Sequence, residues 1–215
     1  MTSSAALTAR GRRAGTHGIV STHQSEKLHP PRTLIDGLRR VEGAEALDGA
    51  AHRIDRAARA VAHPGAVHDV LAGVWLGHAL HPLMTDLPIG FWTGASVLDL
   101  AGRRRSQPAA DLLLAIGTAM AVPTAATGLA EFMHADRATR RVAVLHVAAN
   151  TIGTALYAAS LASRLRGRRA RGVVLAVAGA TAATLGGYLG GHMSTARKAG
   201  TRDPAFADDD TGANA

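Results

Sequence analysis

Histidine is the residue of this chain best suited to chemistry. Eleven histidines occur in 215 residues, and there is no cysteine. Three of them, His81, His146 and His192, stand at or just inside the ends of long apolar runs. Imidazole binds haem iron, zinc, copper and non-haem iron. An ionisable group within a membrane segment is a functional candidate by default. Asn150 follows His146 by one helical turn on the same side, where it can orient the ring. Asp86 and Glu131 bring carboxylates to a similar level, and His78 and His134 stand nearby. The plain alternative for each histidine is an interfacial side chain that meets lipid headgroups or a backbone carbonyl. Other chemistries are poorly served. Without cysteine this chain supplies no disulfide, thiolate zinc site, iron–sulfur cluster or thiol nucleophile. Ser96, Ser160 and Ser194 lack a nucleophile-elbow context, and no phosphate loop is present.

The elements that must position these histidines are four apolar runs over 79–101, 112–132, 142–163 and 172–193. Each has the roughly 20 residues needed to cross a hydrocarbon core of about 30 Å. In four antiparallel spans, the start of the first, end of the second, start of the third and end of the fourth share one face. Those places hold His78, His81, His134, His146 and His192. The fold class expected is all-α: an integral membrane four-helix bundle with an N-terminal amphipathic helical segment. Pro123 in the middle of the second run predicts a kink. Gly186 with Gly190, and Gly187 with Gly191, are small-xxx-small pairs that allow close helix packing or leave room for a flat cofactor.

The net charge is +8, which raises the question of nucleic acid. The arginines argue otherwise. Arg103 to Arg105 and the run over 164–171 sit at span ends, where basic clusters act as topology signals. That rule puts the first and third links in the cytoplasm and both termini on the other side. Four segments follow: a disordered tail over 1–32, an amphipathic interfacial helical segment over 33–78, a four-span domain over 79–195 and a disordered tail over 196–215. The first twenty residues have no continuous apolar core, so a signal peptide is not expected.

The segments WLGHALHPLMTDLPIGFWTGASVLDL, PTAATGLAEF, RRVAVLHVAANT, ALYAAS and GGYLGGHMS resemble the predicted membrane proteins of domain-of-unknown-function family 2231. The resemblance runs from about residue 34 to 195, and HPLMTDLPIG is its most specific part. It implies a likeness to four-helix membrane cytochromes, with His81, His146 and His192 as cofactor-binding positions and haem b or a transition metal as cofactor. This chain departs from the pattern at Asp86, where many relatives carry histidine, and after the last glycines, where HMSTARK stands. Arg140 and Arg141 lie at the histidine face and are expected to be able to pair with haem propionates.

Three readings of function stay open. One is a haem- or metal-binding electron-transfer module of the cell membrane, multi-pass, with a redox protein as partner besides the bilayer. The second is a cofactor-free scaffold or assembly protein. The third is a small transporter using His81, Asp86 and His146. No catalytic residue is assigned, and no nucleic-acid partner is expected.

Overall fold

The computed structural model describes residues 32–102 and 104–200. The described chain is helical throughout. It runs through α1 (Arg32–Gly43), α2 (Asp48–Val61), α3 (Ala66–Ala72), α4 (His81–Leu100), α5 (Gln107–Phe132), α6 (Arg137–Leu165) and α7 (Arg169–Gly191), with a π-helical turn over His192–Ala196. The tail expected over 1–32 lies outside the described residues except for its last position. Residues 196–200, placed in a tail by the sequence, pack here: the Gly200 carbonyl accepts the Ala79 amide at 3.1 Å.

Three stretches are long and apolar enough to cross a membrane: Arg104–Phe132, Arg137–Leu165 and Arg169–Ala196. α4 is not among them. Its 20 residues include Asp86, Asp99 and two prolines, and these dilute its apolar content. α4 nevertheless packs along α5, as α6 packs along α7, so the bundle is two antiparallel hairpins.

Local chemistry explains the helix ends and interruptions. Asp136 caps α6, its side chain accepting the Thr139 amide at 2.8 Å. Pro88 in α4 has no N–H for the carbonyl of Met84, one turn earlier. The Thr124 hydroxyl of α5 stands 3.0 Å from that carbonyl and 2.8 Å from the Met120 carbonyl, so its one proton is shared between the two. α5 continues through Pro123 as one helix. Gly73 turns the chain ahead of α4 with φ of 75°, and a Cβ there would lie 2.5 Å from the His78 carbonyl oxygen.

The two hairpins repeat each other. The same interval separates His81 from His146, Trp92 from Tyr157 and Asp99 from Arg164 along α4 and α6. A second constant interval separates Gly117 from Gly179, Thr124 from Gly186 and Gly128 from Gly190 along α5 and α7. The contacts follow the numbering. Trp92 lies against Gly117 and Tyr157 against Gly179. Where the repeats meet, the Trp92 and Tyr157 rings stack at 4.1 Å with 16° between their planes. α4 and α6 both run away from the histidine end, so the repeat relates parallel elements about an axis along the bundle.

The bundle interior is partly polar. Thr124, Thr127, Ser160 and Arg164 are buried, whereas Leu83, Val97, Leu112, Val122, Ile152, Val174 and Leu185 face outward. α1 and α2 lie back across the start of α6 and the end of α5.

Candidate functional site

His81 opens α4, with Pro82 in its first turn, where a fixed φ suits a helix start. Its Nδ1 lies 3.0 Å from the Thr124 carbonyl oxygen and 3.2 Å from the Thr127 hydroxyl, both on α5. A carbonyl only accepts, so Nδ1 carries the proton and the neutral ring keeps its lone pair on Nε2. Among the described residues, Nε2 has no hydrogen-bond partner. The ring is seated against Gly128, where a Cβ would stand 2.8 Å from Cε1.

His146, nine residues into α6 from Arg137, repeats this arrangement against α7. Its Nδ1 lies 2.8 Å from the Gly186 carbonyl oxygen, and a Cβ on Gly190 would stand 3.1 Å from its Cε1. Asn150 adds a local brace. Its amide donates to the His146 carbonyl at 2.9 Å and lies 3.3 Å from each ring nitrogen. Gly186 makes room for it, since a Cβ there would stand 2.6 Å from Asn150 Nδ2. The two imidazoles meet between the hairpins, with centroids 6.1 Å apart and planes at 84°. Each imidazole is therefore tied to a helix carbonyl through the same nitrogen, and the two differ at Nε2, which is open on His81 and faces the Asn150 amide on His146.

His192 is engaged elsewhere. Its Nε2 donates to Glu42 of α1 at 2.8 Å. Arg197 joins Glu42 at 3.1 Å, Asp136 at 3.0 Å and the Thr139 hydroxyl at 2.6 Å. The hydrogen bond from His192, supported by Arg197, holds the Glu42 carboxyl below its ordinary range despite partial burial. A ligand role for His192 requires that bond to open. Among the described residues, no group of three His, Asp or Glu side chains is gathered to hold a metal ion. Asp86 is exposed on α4. Arg140 and Arg141 are occupied from above: Arg140 donates to the Met133 and Ala135 carbonyls and pairs with Asp55, and Arg141 pairs with Asp48 at 2.7 Å.

Two clusters stand out that the sequence did not bring together. His68 of α3 and His134 after α5 bring their Nε2 atoms to 2.9 Å, so one ring donates to the other, while Asp69 faces His68 Nδ1 at 3.1 Å. At the opposite end of the bundle, all four helices meet in a charge quartet. Arg164 bonds Asp99 at 2.6 Å and Asp111 at 3.1 Å, and Arg169 bonds the same two carboxylates at 2.6 and 3.1 Å. Two positive and two negative side chains balance, and the Arg164 side chain is only 1% exposed.

No match was found among curated proteins or among solved structures. The family described as predicted membrane protein (DUF2231) matches residues 77–203, from the turn before α4 to beyond Arg197. With both hairpins inside that match, the chain belongs to this family of predicted membrane proteins.

Proposed function

We propose that this chain is a four-span module of the cell membrane that holds a transition-metal centre, as haem iron or a bare redox-active ion, between His81 and His146. The observation that carries the reading is the matched tethering of the two rings. Each imidazole donates Nδ1–H to a carbonyl of the neighbouring helix, which fixes the tautomer. That leaves Nε2 of His81 open as a ligand atom, whereas Nε2 of His146 faces the Asn150 amide at 3.3 Å and would bind a metal only once that amide turns away. Metal-binding histidines use the same support from a carbonyl behind the ring. Two nitrogens on one metal stand about 4 Å apart, and ring centroids 6.1 Å apart admit that separation. Two neutral imidazoles are a donor set that would suit haem iron or a copper ion. Such a centre would supply a one-electron couple. The protein's own part is to tie down both rings, brace His146 through Asn150 and surround the site with apolar helices.

α4 is read as the fourth span. Leu83, Leu87, Ile89 and Val97 turn outward to lipid, while Trp92 and Ala95 face the bundle. α1 and α2 lie over the histidine face at the interface, where a soluble redox partner would dock. His192 would serve as a third ligand only after release from Glu42. The cofactor-free alternative draws on the lack of a three-ligand group among the described residues. Absorption spectra of the purified protein, air-oxidised and then reduced, separate the two. A reversible visible change that is lost in His146→Ala supports the redox centre. A colourless protein that stays colourless after reconstitution with haem or copper leaves the scaffold reading.

A further inference from the structure

The end of α6, the turn after it and the start of α7 carry five arginines: Arg164, Arg166, Arg168, Arg169 and Arg171. Their roles divide sharply. Arg164 and Arg169 are neutralised by Asp99 and Asp111 in the quartet. Arg166, Arg168 and Arg171 make no ion pair among the described residues, and Arg166 reaches only the Ala162 carbonyl, at 3.5 Å. These three cations surround a cavity of about 200 Å³, completed by Ala159, Ala162 and Ser163 of α6. The acids at this end are already paired, so the positive charge around the cavity is uncompensated.

The cavity's position at the edge of the apolar surface suggests its occupant. Leu165 and Val174, at the end of α6 and the start of α7, are 76% and 68% exposed. Such apolar exposure marks lipid-facing surface, so the arginines stand where the apolar band gives way to water. Ala159 and Ala162 continue the cavity wall along α6 toward the bilayer. A guanidinium binds phosphate oxygens through its planar fork. Basic pockets between helices at the membrane surface recognise anionic headgroups in the same way.

We propose that Arg166, Arg168 and Arg171 form a binding pocket for the phosphate of an anionic phospholipid headgroup, with its acyl chains running down α6 past Ala162 and Ala159. The pocket is independent of the histidine pair and lies at the other end of the bundle.

The test is native mass spectrometry of the full chain released from detergent. The probes are phosphatidylglycerol and phosphatidylcholine, each with and without excess inorganic phosphate. Phosphatidylglycerol should be retained in preference to phosphatidylcholine. The preference should fall about five-fold for each arginine changed to glutamine, and about a hundred-fold in R166Q/R168Q/R171Q. The lysine series R166K/R168K/R171K should keep much of it, because the charge remains. Retention that survives excess inorganic phosphate identifies the lipid as the source of the phosphate group. Equal retention of both lipids, full preference in the triple glutamine variant, or displacement of lipid by inorganic phosphate overturns the proposal.

Discussion

Arg164→Met should be among the most damaging single substitutions in this protein. The Arg164 side chain is 1% exposed, and it bonds Asp99, Asp111 and the Ser160 hydroxyl. Removing it leaves two carboxylates against one guanidinium, that of Arg169, with Asp99 only 7% exposed. Breaking one side of a buried ion pair costs about 3–5 kcal/mol, because the remaining charge stays buried without compensation. The double variant Asp99→Asn/Arg164→Met removes one charge of each sign. It keeps Arg169 and Asp111 as a pair at 3.1 Å. Replacing both members of a buried pair is often nearly neutral, so the double variant should recover about 2 kcal/mol or more of the single variant's loss. Unfolding in mixed micelles with increasing dodecyl sulfate, followed by far-ultraviolet circular dichroism, measures the parent, the single variants Arg164→Met and Asp99→Asn, and the double variant. An Arg164→Met protein within about 0.5 kcal/mol of the parent, or a double variant whose loss is the sum of the singles, refutes the balanced-quartet argument.

Three further outcomes are expected. Gly128→Ala places a methyl 2.8 Å from His81 Cε1, whereas Gly190→Ala meets His146 Cε1 at 3.1 Å; both should weaken metal uptake, Gly128→Ala more, with overpacking of about 1–3 kcal/mol visible in the same unfolding assay. Acid should release α1 and α2 before the bundle opens. Glu42 is held below its ordinary range by His192 and Arg197, and Asp55 by Arg59 and Arg140. With folded values depressed, their contribution is full above the ordinary carboxylate range and is lost as pH falls through the lower folded values. Protection from hydrogen exchange, taken relative to the intrinsic rate at each pH, should therefore be lost over 32–61 at low pH ahead of 107–165, and uniform loss would contradict it. In the cysteine-free background, single cysteines at Ser106 and Gly167 should label from one side of the membrane and Ala138 from the other; labelling of all three from one side defeats the four-span topology.

The apolar runs that became α5, α6 and α7 were readable from length and composition, and so was the gathering of histidines at one end. Asn150 beside His146 was readable too, because a four-residue step fixes helical neighbours. The partner of His192 was not. Glu42 lies far away in sequence, and only the return of α1 across the bundle brings it close. The arginine runs were read as topology signals, and for Arg166, Arg168 and Arg171 nothing contradicts that. Arg164 and Arg169 needed a view of Asp99 and Asp111, which lie on the other hairpin. His134 was placed among the histidines of the histidine face, but His68 was passed over because short α3 gives no periodic signal, so their pairing was not foreseen. The repeat had a trace in the sequence: His81 and His146 each precede an aromatic residue, Trp92 or Tyr157, by the same interval. Glycine matches on α5 and α7 are too common in membrane helices to reveal it without the contacts.

The central claim is that His81 and His146 are both ligands of one metal centre. Its most direct test is the metal content of the purified protein beside His81→Ala and His146→Ala, measured by mass spectrometry of digested samples after uptake of haem or copper. One metal per chain in the parent, and loss to a similar extent in both variants, is the expected result. A parent protein that takes up neither, or a variant of either histidine that keeps the full content, contradicts the claim.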